Sequence, residues 1–448
     1  MGPIELPPML KQGERARLFP ILADTSRENR LSSIFLAVLS VVPDLAFAVF
    51  SSTGIKVGKR AKIEVFTEII LNDNSEIKNR PDGLISITNG KITWSALVES
   101  KIGKVEINAD QVMRYMDAAK LNKIDSVITI SNQFVARADL SPVQLSKIHL
   151  RKCGLFHWSW MWIATQCEIL LHKKLFESSD QEFIVREFLR LLKHSNTGVE
   201  GFTQMPASWK DVVQAVANLD TLKKTSSDVT DAVEAWFSEL RDLSLQMSRH
   251  VGQSVTTRIE RKHLADQKER LRDGINYLTE KNCLKGTFTV PDSAGDIEVT
   301  ADLARRAITV AMKVRSPEDR KSTKARVNWL LRMLKEDDDR LFVRAHWPGR
   351  KQSTLESIKK LRSDPEAICA EPTDTVPHTF EILLVETGAK RFSGRRTFIE
   401  DLEAIVPKFY DLVGQNLRAW QAPPPKPVKI EISSVEDGSD SQGSETIV

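Results

Sequence analysis

Cysteine is scarce in this sequence. The 448 residues contain four (Cys153, Cys167, Cys283, Cys369), none within CxxC distance of another and none in a Cys/His group with zinc-ligand spacing. That argues against a disulfide framework and a zinc module, and makes reduced, mostly buried thiols the expectation. A long uninterrupted apolar run is missing too. The most hydrophobic stretch near the start, residues 33–50, is broken by Pro43 and Asp44 and preceded by Arg27, Glu28 and Arg30, so a buried helix is expected there rather than a membrane span. Residues 1–18 carry Lys11, Glu14, Arg15 and Arg17 without an apolar centre followed by small residues, which is not a signal-peptide pattern. A cytoplasmic protein with no membrane partner is the expectation. No GxxxxGK[ST] run occurs, so ATP-driven translocation by this chain is not expected. Charge of one sign is not in large excess: the formal net charge is +4, with residues 421–448 at −3 (two lysines, five acids) and the rest at +7. Such a balance permits a nucleic-acid partner without requiring one.

What is present is an ordinary folded composition, 41% hydrophobic and 28% charged, on a chain too long for one core. Leu31, Ile34, Phe35, Val38 and Leu39 recur at helical intervals after Thr25 or Ser26, either of which can cap the helix. Residues 62–71, rich in β-branched side chains, read as a strand, and 72–79 as a polar turn. A second strand over 83–87 runs to Asn89-Gly90, a strong hairpin signal, and 91–102 returns as a third. Residues 109–121 read as a helix, 125–130 as a short strand and 147–158 as a last strand. The order predicts an α/β domain over 1–165 with an αβββαβ core and a mixed central sheet. Residues 166–283 read as a helical bundle or hairpin, with long helices at 228–245 and 256–278, through which the chain is expected to form a homo-oligomer. Residues 284–420 read as a basic α+β domain, with strands near 287–290, 307–314, 340–346 and 380–386 and helices near 321–335, 354–362 and 397–420. The acidic 421–448 reads as a disordered tail.

One constellation carries chemistry. Arg80-Pro81-Asp82-Gly83 opens one strand and Leu97-Val98-Glu99-Ser100-Lys101 ends the next, so the hairpin can bring Asp82 beside Glu99. Alternation puts Glu99 and Lys101 on one face and Val98 and Ser100 on the other. Two carboxylates beside a lysine suit phosphodiester hydrolysis: Mg²⁺ takes hard oxygen ligands, commonly only one or two carboxylates, and a lysine can orient or deprotonate the attacking water.

These residues resemble the PD-(D/E)xK nuclease superfamily, which includes many type II restriction enzymes, junction resolvases and RecB-type exonucleases. Gln111 and Tyr115 on the following helix are similar to the QxxxY element of its RecB-like branch. Glu28, in the first helix, resembles an acidic residue that many members place near the metal or the attacking water. The likeness covers residues 20–165 and implies a restriction-endonuclease-like fold. It makes Asp82, Glu99 and the Ser100 carbonyl ligands of Mg²⁺ or Mn²⁺, Lys101 the water-activating residue, and Glu28 and Gln111 members of the site. It implies a phosphodiesterase acting on DNA rather than RNA, with bacterial restriction or anti-phage defence as a setting by analogy.

Other readings stay open. The alternative function is a catalytically silent nucleic-acid-binding, regulatory or interaction protein that keeps the fold. Asp82 can be a turn residue and Glu99 with Lys101 a solvated pair; Glu28 can belong to a capping box with Thr25, and Gln111 and Tyr115 to an amphipathic helix. The run Phe156-His157-Trp158-Ser159-Trp160-Met161-Trp162 is expected to be packing, with base stacking as the alternative. Lys321, Lys324, Arg326, Arg332 and Lys335 form a helix without an acid until Glu336. It is either a solvated face or a phosphate-tracking surface, to which Tyr115 is the candidate addition near the carboxylates.

Overall fold

The computed structural model describes residues 6–15, 18, 26–58, 60–72, 80–151, 153–369, 375–422 and 424. Thr25, nearly all of the polar turn at 72–79 and nearly all of the acidic tail lie outside them. The fold is mixed α/β.

Strand β1 (Leu10–Arg15) precedes two helices, α1 (Arg27–Val41) and α2 (Pro43–Ser51), of which the second starts on a proline whose missing N–H costs nothing at a helix start. Strands β2 (Lys62–Leu71), β3 (Gly83–Asn89) and β4 (Ile92–Ser100) then run antiparallel. The β3–β4 turn has a positive φ at Gly90, +65°, where glycine carries no steric penalty. Helix α3 (Ala109–Leu121), capped by the Asn108 side chain, crosses over to β5 (Ser126–Ser131), which is parallel to β4. A helical turn, α4 (Lys147–Leu150), leads into β6 (Gly154–Ser159), parallel to β5. The last strand is therefore shorter than the 147–158 expected, because the Ser146 side chain caps the backbone at His149 and turns residues 147–150 into helix. The six strands lie in the sheet in chain order.

Both faces of this sheet are covered, and the two-residue period distributes its side chains between them. Val65, Ile85, Val98, Ile128 and Trp158 pack with α1 and α2, whereas Phe66, Leu84, Leu97, Val127 and Leu155 pack with α3. Phe35 of α1 meets Trp158 and Trp160 edge-on at centroid distances of 6.3 and 5.7 Å, so those two tryptophans are packing residues.

The helices that follow are shared between two cores instead of forming a body of their own. Helices α5 (Trp160–Lys173) and α6 (Ser179–Leu192) join the α1–α2 face through Ile163, Cys167, Phe188 and Leu192. Helices α7 (Trp209–Ala217), α8 (Ser227–Val251) and, after α9 (Arg261–Ala265), α10 (Gln267–Lys281) pack on a second sheet through Trp209, Trp236, Leu240 and Leu278. The expected helix at 256–278 is interrupted at its start, since Thr256–Thr257 pair as β7 with β8 (Cys283–Thr289).

The second sheet continues with β9 (Ile297–Asp302), β10 (Ala307–Arg315), α11 (Thr323–Met333), β11 (Leu341–His346), β12 (Thr354–Ser357), α12 (Ile358–Ser363) and β13 (Thr379–Thr387), and ends with α13 (Ala389–Phe392) and α14 (Arg395–Phe409). Its seven strands are antiparallel, in the order β12-β11-β13-β10-β9-β8-β7. Residues 354–357, expected as helix, pair as a strand with β11, and the helix starts only at Ile358 under a Ser357 cap. The two cores meet where α8 lies along α5, with Arg249 donating to Thr165 Oγ1 at 2.8 Å.

His157 lies inside β6, its Nε2 donating to the Gln133 carbonyl (3.0 Å) and its Nδ1 facing the Thr129 hydroxyl (2.9 Å). Burial pulls its pKa down from 6.5 to about 4. The unfolded ring takes its proton near 6.5 and the folded ring only near 4, so this stabilisation is complete above pH 6.5 and is lost as pH falls to 4. At roughly 1.4 kcal/mol per pKa unit the loss approaches 3 kcal/mol. Urea midpoints at pH 7.5 and 4.5 should therefore fall less in His157→Gln than in wild type; equal falls would show that this ring does not set the acid sensitivity.

Candidate active site

The site lies where β3 begins and β4 ends, under the start of α1. Gly83 makes this approach possible: a Cβ there would come within 2.6 Å of Leu36 Cδ1 and 2.8 Å of the Phe66 carbonyl. With hydrogen at that position α1 packs directly over the strands, and its first turn carries Glu28 to the end of β4.

Asp82 Oδ2 accepts the Ser100 backbone N–H at 2.7 Å and the Ser100 hydroxyl at 3.0 Å, while Oδ1 takes no hydrogen bond among the described residues. The Ser100 hydroxyl also meets Ser32 Oγ at 2.5 Å, and Ser32 donates to the Glu28 carbonyl. Lys101 Nζ donates to Glu99 Oε1 (2.6 Å), Glu28 Oε1 (2.9 Å) and the Ser100 carbonyl (2.9 Å), so its three N–H bonds are all engaged. The Lys101 carbonyl accepts the Trp160 indole N–H at 2.9 Å, which fixes the backbone just past the strand.

Glu99 is 2% exposed, so it is no solvated pair. Its Oε1 takes Lys101 and also Gln111 Nε2 at 2.8 Å; Gln111 reaches the Tyr115 hydroxyl (3.0 Å), and that hydroxyl donates to the Arg80 carbonyl (3.1 Å). The four-residue spacing on α3 thus ties the backbone ahead of Asp82 to the carboxylate of Glu99. Oε2 of Glu99 is buried and has no hydrogen-bond partner among the described residues.

Electrostatics follow from this crowding. Burial, then the neighbouring Glu99, push Asp82 up to about 7 against the pull of the Ser100 N–H and Lys101. Burial also raises Glu99, opposed by Lys101. For Lys101, burial alone would lower the pKa, but the Glu99 hydrogen bond and charge, with Glu28, carry it above its ordinary value. Burial and then the charge of Glu99 raise Tyr115.

A divalent cation fits these residues. An unpartnered buried carboxylate oxygen costs roughly 1–3 kcal/mol if nothing binds it, and Glu99 Oε2 is such an atom beside a second carboxylate and the Ser100 carbonyl. Among the described residues no group of three or more His, Cys, Asp or Glu side chains is arranged to hold a metal. That leaves two carboxylates and a carbonyl, a set that suits a hard cation completing its shell with water and substrate oxygens.

Seven of the sequence-derived residues converge here: Glu28, Asp82, Glu99, Ser100, Lys101, Gln111 and Tyr115. Glu28 uses its side chain on Lys101, whereas Ser26, the residue in the cap position, makes no side-chain cap bond. Tyr115 is fully buried, which corrects its assignment as a nucleic-acid contact: it positions Gln111 and Arg80. Ser32 and the Arg80 carbonyl were not anticipated. Ser32 stands four residues after Glu28, on the same helix face, which is the one signal that marks it.

The basic helix α11 belongs to the second core. Lys321, at the approach to the helix, and Lys324 and Arg332 on it, are exposed. Arg326 is buried, donating to the Arg320 carbonyl (2.8 Å), Ser316 Oγ (2.9 Å) and the Pro377 carbonyl (2.8 Å), so it is a structural residue and not a phosphate contact. Compared with family models and with curated proteins, the chain matches none.

Two outcomes follow. Arg326→Met takes the charged donor from the buried Pro377 carbonyl and the part-buried Arg320 carbonyl and should cost about 1–3 kcal/mol in urea unfolding with no change in affinity for duplex DNA; weaker DNA binding at unchanged stability would reverse that assignment. Mn²⁺ should raise the melting temperature of wild type, by the equivalent of about 2.7 kcal/mol at a hundredfold excess over Kd. The rise should vanish in Glu99→Gln and Asp82→Asn, and equal rises in all three proteins would place the ion elsewhere.

Proposed function

We propose that the chain is a metal-dependent nuclease of the PD-(D/E)xK type, cleaving phosphodiester bonds in DNA. The observation that carries this reading is the buried Glu99 carboxylate, one oxygen bound to Lys101 and Gln111 and the other unpartnered, beside Asp82 at a strand end. The order α1, α2, β2, β3, β4, α3, β5, α4, β6 supports this reading: leaving aside α2 and the short α4, it has the element sequence of an αβββαβ core.

Asp82, Glu99 and the Ser100 carbonyl would hold Mg²⁺ or Mn²⁺, which when bound polarises a phosphoryl oxygen and acidifies a water. The other groups act by position and charge. Ser100 holds Asp82 through its N–H and hydroxyl, so that carboxylate enters the reaction already oriented. Gln111 does the same for Glu99, anchored through Tyr115 to the chain in front of Asp82. Lys101 is an ammonium held between Glu28 and Glu99, so it acts by charge, neutralising the scissile phosphate beside the carboxylates. Glu28, on the other side of that ammonium, is placed to receive a proton from the water. A restriction or anti-phage setting is the biological context this chemistry suggests, and the exposed lysines around α11 are candidates for tracking the substrate backbone.

Purified protein should cut linear, supercoiled or single-stranded DNA with Mg²⁺ or Mn²⁺, tested beside an RNA control. Asp82→Ala and Lys101→Ala should each slow cutting by about a hundredfold or more. Cutting that survives in both variants, or that needs no divalent ion, would sink the assignment.

A further inference from the structure

A cleft of about 480 Å³ lies between the two cores and contains none of the site residues above. Its walls are the end of α2, the loop 135–139, the start of α5 and the inner side of α8. Four observations define what could occupy it.

The first is an arginine without a counter-ion. Arg241 of α8 lines the cleft, and its one hydrogen bond among the described residues is a long one, 3.5 Å, to Ser244 Oγ; no ion pair among them includes it. Burial draws its pKa down to about 10 against the charge of Asp242, so it stays protonated at neutral pH. Of the nearby charges, Asp242 keeps Oδ1 buried without a hydrogen-bond partner among the described residues, and the rest are engaged elsewhere. Asp242 accepts the Phe202 N–H at 2.6 Å, Arg249 is held by Thr165 and Glu168, and Asp139 at the rim is bound in a fork by Arg137. His157 is held neutral by burial.

The second is a set of donors beside it: Gln166 and Ser254 line the cleft, and their side chains make no hydrogen bond among the described residues. The third is a set of acceptors on the opposite wall. Ser51 and Thr53 donate their hydroxyl protons to the Ala48 and Phe50 carbonyls, and Thr53 also accepts the Ile55 N–H at 3.4 Å, so what they offer a ligand is their remaining lone pairs. The fourth is Trp162, half-buried in the wall, with Trp158 stacked at 6.2 Å behind it. A complementary molecule carries an anion for the guanidinium, hydroxyl donors for Ser51 and Thr53, and a flat ring for the indole. The volume is within the usual range of small-molecule sites, roughly 300–1,000 Å³.

We propose that this cleft is a binding site for a nucleoside monophosphate, with Arg241 holding the phosphate, Ser51 and Thr53 the sugar hydroxyls and Trp162 the base. A guanidinium suits the phosphate because its fork presents two parallel N–H bonds to two oxygens. The inference does not depend on the nuclease reading.

The test is calorimetry on the full chain in EDTA with AMP, GMP, CMP and UMP, beside inorganic phosphate and adenosine. At least one nucleotide should bind once per chain and more tightly than either fragment. Arg241→Gln should weaken it by about 10- to 100-fold, the range for one charged hydrogen-bonded pair. Ser254→Glu, which sets a carboxylate at the exposed mouth, should weaken it too and serves where Arg241→Gln fails to fold. Lys101→Ala should bind as wild type does. No binding by any nucleotide at about 1 mM overturns the proposal; so does affinity lost in Lys101→Ala but kept in Arg241→Gln and Ser254→Glu, which would put the nucleotide at the carboxylates.

Discussion

Two carboxylates held out of water next to each other constrain the whole first domain. Burial raises the pKa of both Asp82 and Glu99, and the charge of Glu99 raises Asp82 further. Such a pair persists only if the surrounding fold supplies compensating donors at fixed positions. Three elements do so: β4 contributes Lys101 and the Ser100 N–H, α3 contributes Gln111, and α1 brings Glu28 to balance the ammonium. Removing any one leaves a buried charge short of partners, so the packing of α1 and α3 on opposite sides of the sheet and the charge state of the site are one problem. The unpartnered Glu99 oxygen is where the protein's own groups stop short, and a cation is the species that would complete it.

Lys101 occupies the pivot of that balance. It touches Glu99, Glu28 and the Ser100 carbonyl, and so supplies with one ammonium some of the positive charge that a divalent ion would bring to Glu99 and Ser100. Its own backbone is fixed by Trp160, in a run where alternate tryptophans serve different neighbours. Trp158 packs on Phe35 and Phe50, Trp160 packs on Phe35 and holds the Lys101 carbonyl, and Trp162 faces the cleft beside α8. Packing and positioning are therefore the same function for these rings.

Much of this was legible in the sequence, for a definite reason. The hairpin from Gly83 to Ser100 is local, its register follows from the turn at Gly90 and the two-residue period, and so Asp82 and Glu99 could be placed together without knowing any other contact. The four-residue spacing of Gln111 and Tyr115 is equally local. What could not be read depends on contacts distant in the chain. Nothing in the sequence around Ser32 announces that it meets a serine 68 residues away. The helices after Trp160 have the same amphipathic pattern whether they serve the first core or the second, so their division between the two was invisible. Residues 354–357 form a strand because β11 offers an edge, not because TLES prefers one.

Arginine shows the same limit most sharply, because formal charge is all that a sequence gives. Arg326 sits among lysines in a run that looks like a phosphate-tracking face, yet it is folded inward onto the carbonyls of Arg320 and Pro377. Arg241 sits in a helix of mixed charge next to Asp242, where an intrahelical ion pair would be the natural guess. Adjacent helical residues point about 100° apart, so Asp242 turns to the Phe202 N–H and the guanidinium is left to the cleft. The partner of a buried cation decides its role: main-chain carbonyls make Arg326 structural, and Arg241, in no ion pair among the described residues, is the cation the proposed phosphate would complete.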